Sequence, residues 1–125
     1  MNQVAKPRTF DLEERLILFS IMILEVVEAM PETRIGSHLA GQLLRSGTSP
    51  APNYGEAQGA ESRKDFVHKM QICLKELRET QIHLKVILGK QLIPRSAKTD
   101  AWLRECGELI AVFASSVKTA KRNAR

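Results

Sequence analysis

The chain has 125 residues, a net charge of +5 and two cysteines, with 43% hydrophobic, 26% charged and only 5% aromatic side chains. That length is one domain able to bury roughly two-thirds of its unfolded surface, so neither disulfides nor a metal are needed to hold it. Such a composition excludes a disordered, collagen-like or disulfide-stapled chain, and scarce aromatics predict a largely aliphatic core.

Helical spacing dominates, and no β-branched alternating run occurs. Residues 1–8 read as a disordered start, without the pattern of a signal peptide. Thr9 or Asp11 can cap a first helix over about 10–30, with Glu13 and Glu14 in its first turn. Leu12, Leu16, Phe19, Ile23, Val26 and Met30 follow a 4-3-4-3-4 seam. Ile17, Leu18, Ile21, Met22 and Leu24 are apolar as well and fall off it. A helix apolar on most of its circumference must be covered on more than one side, which predicts self-association. The apolar run from Leu16 to Val27 is too short to span a bilayer, so no membrane partner is expected. Pro31 closes the helix.

A second helix is predicted over 34–58, kinked near residues 47–50. Ser49 reads as an N-cap ahead of Pro50 in a new first turn. Gln42, Ser46, Ser49, Asn53 and Glu56 recur at four- and three-residue steps, with Arg45 beside them. They form one polar face if the segment stays roughly helical. Arg45 needs an acid, and Glu76 is the candidate. This face reads as a polar lock holding a kinked helix in register; the alternative is a groove contacting a ligand or RNA.

Ser62, with Asp65 three residues on, starts a third helix over 63–89. Its seam is Phe66, Met70, Cys73, Leu77, Leu84, Ile87 and Leu88, with Thr80 at a core position, and Gly89 and Pro94 stop it. Ser96 or Thr99 caps a fourth helix over about 98–121, with Trp102, Leu103, Cys106, Leu109, Ile110, Phe113 and Val117 on its apolar side. From Lys118 the basic end is expected to fray. The fold class is therefore all-α, a single up-and-down four-helix bundle spanning 1–125.

Charge divides unevenly. Residues 1–62 hold five basic and eight acidic side chains, a net of −3, while residues 63–125 hold fourteen and six, a net of +8. A basic half fits nucleic acid, an acidic partner or the negative half of a neighbouring subunit; a solvated helix face with a basic tail accounts for it too. Lys64, Lys69, Lys75, Lys85, Lys90 and Arg95 are the candidate phosphate contacts. No aromatic-interleaved basic motif is present, so sequence-specific readout is not expected.

Signals for chemistry are missing. His38, His68 and His83 share no ligand spacing, Glu-x-x-His does not occur, and Gly-rich phosphate loops are absent. Cys73 and Cys106 lie in apolar stripes and read as buried thiols of a cytoplasmic protein. No catalytic residue, metal, cofactor or small-molecule substrate is expected.

The same residues carry a family resemblance. Gln42–Leu43, Arg45–Ser46, Ser49, Asn53, Glu56–Ala57, Ser62, Asp65–Phe66, Glu76–Leu77 and Glu79–Thr80 resemble the signature of 23S ribosomal RNA intervening-sequence proteins. The likeness covers about residues 10–120, with departures at Gly47, Pro50 and Tyr54–Gly55. It implies a left-handed bundle assembled as a ring, typically a homopentamer, without known enzymatic activity. Similar bundles serve as accessory subunits of reverse transcriptases in diversity-generating retroelements, which implies RNA or a nucleoprotein as partner. A purely structural protein–protein scaffold is the other reading.

Overall fold

A computed structural model describes residues 11–123, all of whose regular structure is helical. Thr9 and the start of the chain lie outside the described residues. The helices are α1 (Leu12–Ala29), α2 (Arg34–Thr48), α3 (Pro50–Gln58), α4 (Arg63–Gly89) and α5 (Ala97–Asn123). Together α2 and α3 make one bent rod, so the architecture is a four-helix bundle. Chain neighbours pack side by side and α5 returns against α1, the loosest of these seams. No described helix is long and apolar enough to cross a membrane.

Helix ends follow local chemistry. The Asp11 side chain accepts the Glu14 N–H at 3.2 Å, and Met30 turns extended ahead of Pro31. Thr33 accepts the Gly36 N–H at 3.0 Å. A Cβ on Gly36 would collide with the Pro31 carbonyl, so this tight corner requires glycine. Ser62 accepts the Asp65 N–H at 3.0 Å. At α5, Ser96 and Thr99 cap reciprocally: Ser96 N–H donates to Thr99 Oγ1 (2.9 Å) and Thr99 N–H to Ser96 Oγ (3.2 Å).

Three local expectations need correction. Ser49 is not an extended N-cap: it is helical (φ −76°, ψ −37°) and its side chain makes no cap bond. Its carbonyl accepts the Asn53 N–H (3.3 Å), the first bond of α3, so the two segments meet at a bend through one helical residue. α4 ends at Gly89 as expected, but glycine is not the residue that turns the chain. Gln91 takes the left-handed conformation (φ 63°), its N–H donating to Leu88 O, while Leu92 N–H donates to Ile87 O. That is a Schellman closure with glutamine in the glycine position. Nor does the basic end leave the helix at Lys118, because Ala120 beyond it is still buried and α5 runs to Asn123.

The core is aliphatic around Phe19, Phe113 and Trp102, with Leu16, Ile23, Leu43, Leu77, Leu84 and Leu109 fully enclosed. Tyr54 of α3 meets Phe113 edge-on, ring centres 5.9 Å apart at 84°. A Cβ on Gly47 would lie 2.6 Å from Ile23 Cγ1, so glycine sets the close approach of α2 to α1. Cys73 and Cys106 are free and buried. Burial pushes both thiols up to about 12, which keeps them protonated and unreactive at neutral pH.

One polar pair sits within this apolar interior. Thr80 Oγ1 lies 2.9 Å from Ser46 Oγ and 2.8 Å from the Glu76 carbonyl, with both side chains fully enclosed. Thr80→Val strands the Ser46 hydroxyl and is expected to destabilise the fold by about 1–3 kcal/mol in urea denaturation. The double variant Ser46→Ala/Thr80→Val is expected to cost less than the sum of the singles. Gln91→Gly relieves the left-handed residue and is expected to stabilise by about 0.5–1 kcal/mol.

Candidate nucleic-acid interface

Twenty-seven residues of α4 rise about 40 Å, and its outward side carries the basic character of the second half. Lys64, Lys75, Arg78, Lys85 and Lys90 are exposed along it, and among the described residues none is ion-paired. Arg78 joins the candidates Lys64, Lys75, Lys85 and Lys90 on this side. Ile82 (61% exposed) and Val86 interrupt the row. Lys90 and Arg95 lie at the opposite end of α4 from Lys64. The six candidate cations thus do not converge on one point; they mark a strip.

Lys69 leaves that set. Its ammonium pairs with Glu56 of α3 at 2.6 Å, which raises its pKa and commits it to holding α3 on α4. The helical turn that aligns Lys64, Lys75 and Lys85 outward puts Lys69 on the α3 side, a distinction only the packing reveals.

The polar face of the bent helix is likewise not one network. Arg45 reaches Glu76 at 3.3 Å and Glu79 at 2.9 Å, and the guanidinium holds the Glu79 carboxyl below its usual range. Ser46 meets Thr80, Asn53 Nδ2 donates back to the Ser49 carbonyl and hydroxyl (both 3.0 Å), and Glu56 takes Lys69. Gln42 is half-buried and makes no side-chain hydrogen bond among the described residues. Arg45, Ser46 and Glu56 meet separate partners on α4, while Asn53 and Ser49 bond to each other within the rod. The first three act as cross-helix fasteners. Among the described residues no group of three His, Cys, Asp or Glu is placed to hold a metal.

Two further features were not visible from spacing. Arg15, the single base of α1, bridges to Glu105 (2.7 Å) and Glu108 (2.8 Å) of α5 across the loosest seam. A lone cation in a helix bearing Glu13, Glu14, Glu25 and Glu28 was the available clue. Beside it, Leu18, Phe19, Met22, Ala101 and Trp102 line an open groove of about 470 Å³. Ile17, Leu18 (60%), Ile21 and Leu24 remain exposed on α1, as its surplus of apolar positions predicts, while Met22 packs against the core.

Geometry and charge define a four-helix bundle with an over-apolar first helix and a basic third. The 23S rRNA-intervening sequence protein family matches residues 9–115, and the chain belongs to that family. It is also similar to a crystal structure from Bacteroides thetaiotaomicron VPI-5482, described as a protein with unknown function from the S23 ribosomal protein family. Identity is 28% and the TM-score 0.79, covering 86% of this chain and 99% of that one. A search of curated proteins returns no match.

His83 on α4 generates a pH prediction. Its Nε2 is buried without a hydrogen-bond partner among the described residues. Burial lowers its pKa from the ordinary 6.5, opposed by Glu79 and reinforced by Arg45 and His38. Above that ordinary value both folded and unfolded states are neutral, and stability is full. As pH falls through it, the unfolded chain takes up a proton that the folded chain resists, so stability drops. The urea midpoint is expected to fall between pH 7.5 and 5.5, and His83→Gln to flatten that fall.

Proposed function

We propose that this protein is a non-enzymatic bundle that self-associates through α1 and holds RNA, free or in a nucleoprotein, on the basic surface of α4. The observation carrying the RNA reading is the strip Lys64, Lys75, Arg78, Lys85 and Lys90, exposed and without acid partners among the described residues. Cations not consumed by intramolecular pairs are the ones able to displace counterions from phosphates. Because the strip lies along a rigid helix and carries no aromatic stacking platform, it contacts backbone and not base edges. The family is described as 23S rRNA-intervening sequence protein, which makes RNA the polyanion to test.

Self-association is supported by Ile17, Leu18, Ile21 and Leu24, an apolar stripe rimmed by Glu13, Glu14, Glu25 and Glu28. Acidic rims repel RNA and admit protein, so this face and the strip divide the two roles. A second reading has one specific support. Ile82 and Val86 sit among the α4 cations, complementary to that acid-rimmed stripe, so α1 of one copy would dock on α4 of the next in a head-to-tail scaffold.

Filter binding with a structured RNA is expected to show affinity falling steeply from about 50 to 200 mM salt. Absence of binding at the low end, or a flat salt response, refutes the RNA role. Light scattering is expected to give a multiple of the 14.0 kDa chain mass, and Leu18→Asp/Ile21→Asp to give a helical monomer. A monomeric wild type removes self-association. Lys75→Glu/Lys85→Glu is expected to lose RNA while keeping its assembly; loss of assembly would favour the head-to-tail scaffold.

A further inference from the structure

The two ends of α4 differ in shape. At its start, the first turns of α4 and the last turn of α5 border an open cleft of about 400 Å³ lined by Arg63, Lys64, Val67, His68, Gln71 and Lys121. Three fixed cations, an imidazole and a carboxamide converge there, and no lining residue is an acid. Each polar group can donate a hydrogen bond, while Val67 supplies an apolar wall. Residues 63, 64, 67, 68 and 71 fall at the spacing that presents one continuous side of a helix, so they form one wall of the cleft and Lys121 stands on the other. The α4 backbone begins at Arg63 behind the Ser62 cap, adding the positive end of a helix dipole. Across the cleft, Lys121 and Arg122 occupy the last turn of α5 and offset its negative end. Asp65 is the nearby carboxylate, and it lines an adjoining depression with Ser62, Lys64 and His68 on the other side of Lys64.

Farther along, the strip has equal charge and a different form. Lys75, Arg78 and Lys85 project from a convex helix surface interrupted by Ile82 and Val86. A concave wall of low dielectric concentrates the field of its charges, which a convex row cannot do. Donors surrounding a point suit a compact tetrahedral anion; donors in a line suit only a diffuse polyanion.

We propose that this cleft is a phosphate-binding site, which anchors one or two adjacent phosphates of an RNA strand while the rest of the α4 strip steers the strand. The assignment of the phosphate to RNA rests on the function proposed above; the cleft itself does not. Lys64 and Lys121 supply the charge, Arg63 a planar pair of donors, and Gln71 and His68 the neutral contacts.

The test compares two charge-matched double variants of the full chain. Lys64→Gln/Lys121→Gln and, on α5 outside both the cleft and the strip, Lys98→Gln/Arg104→Gln each remove two positive charges from exposed positions. A site at the cleft predicts that the first pair weakens RNA binding at least tenfold and lowers the salt slope by about two, while the second changes affinity less than about threefold. Equal losses from the two pairs overturn the site and leave the RNA role standing. An NMR titration with inorganic pyrophosphate separates the two claims. Shifts confined to residues 63–71 and 121 support the cleft even where RNA fails to bind. Shifts spread evenly along α4, or none, overturn it.

Discussion

The bend at Ser49–Pro50 is the constraint on which the bundle depends. Pro50 and Pro52 lack the N–H groups that a straight helix would direct to the Ser46 and Thr48 carbonyls, and the Pro50 ring presses on the preceding turn. The rod therefore bends without ending. Its first half, α2, shares its contacts between α1 and α4, and its second half, α3, turns chiefly onto α4. Around the bend the packing is close. Gly47 admits Ile23, Ser46 meets Thr80, and the Cys73 thiol points at the Pro50 carbonyl at 3.5 Å. An added Cβ at Gly47 or a lost hydroxyl at Thr80 would act on this same region, which is why small and polar residues cluster there.

Surface character follows from how the helices divide their work. Of all the helix pairs, α4 and α5 pack against each other most extensively. Apolar residues in α1 exceed what its neighbours cover, since α5 approaches it chiefly through Arg15 and its two glutamates. The acids Glu56, Glu76, Glu79, Glu105 and Glu108 are taken up by Lys69, Arg45 and Arg15 in cross-helix pairs. Exposed pairs of this kind contribute little stability singly. Their larger consequence is to leave the α4 cations without local counter-charges, which turns a modest net charge into a directional one.

Much of the architecture was legible in the chain. The seams of Leu16, Phe19, Ile23 and Val26, and of Met70, Cys73, Leu77, Thr80 and Leu84, are buried where helical spacing puts them, and the bend lies where Gly47, Ser49 and Pro50 announce it. Ser49 as a cap misled because serine before proline is equally compatible with a helix that continues. Gln91 was invisible as a left-handed residue because nothing in its side chain demands that conformation; the closure of α4 imposes it. Among the candidate contacts, Lys69 could not be separated from Lys64 and Lys75 until α3 brought Glu56 against it. Arg63, His68 and Lys121 gained meaning only when α5 returned beside the start of α4.

Taken alone, the sequence determined helix number, the buried seams, the bent second helix, the split of charge between its halves and the family. These are properties of spacing and composition along one chain, set by the 3.6-residue turn and by which side chains water rejects. Tertiary structure decided which charges neutralise one another and which remain. It also decided that the polar face of the bent helix is a set of separate fasteners, and that cations 58 positions apart at the extremes, Arg63 and Lys121, share one cleft. Such pairings depend on how antiparallel helices are set against each other, and no local pattern of residues encodes that distance.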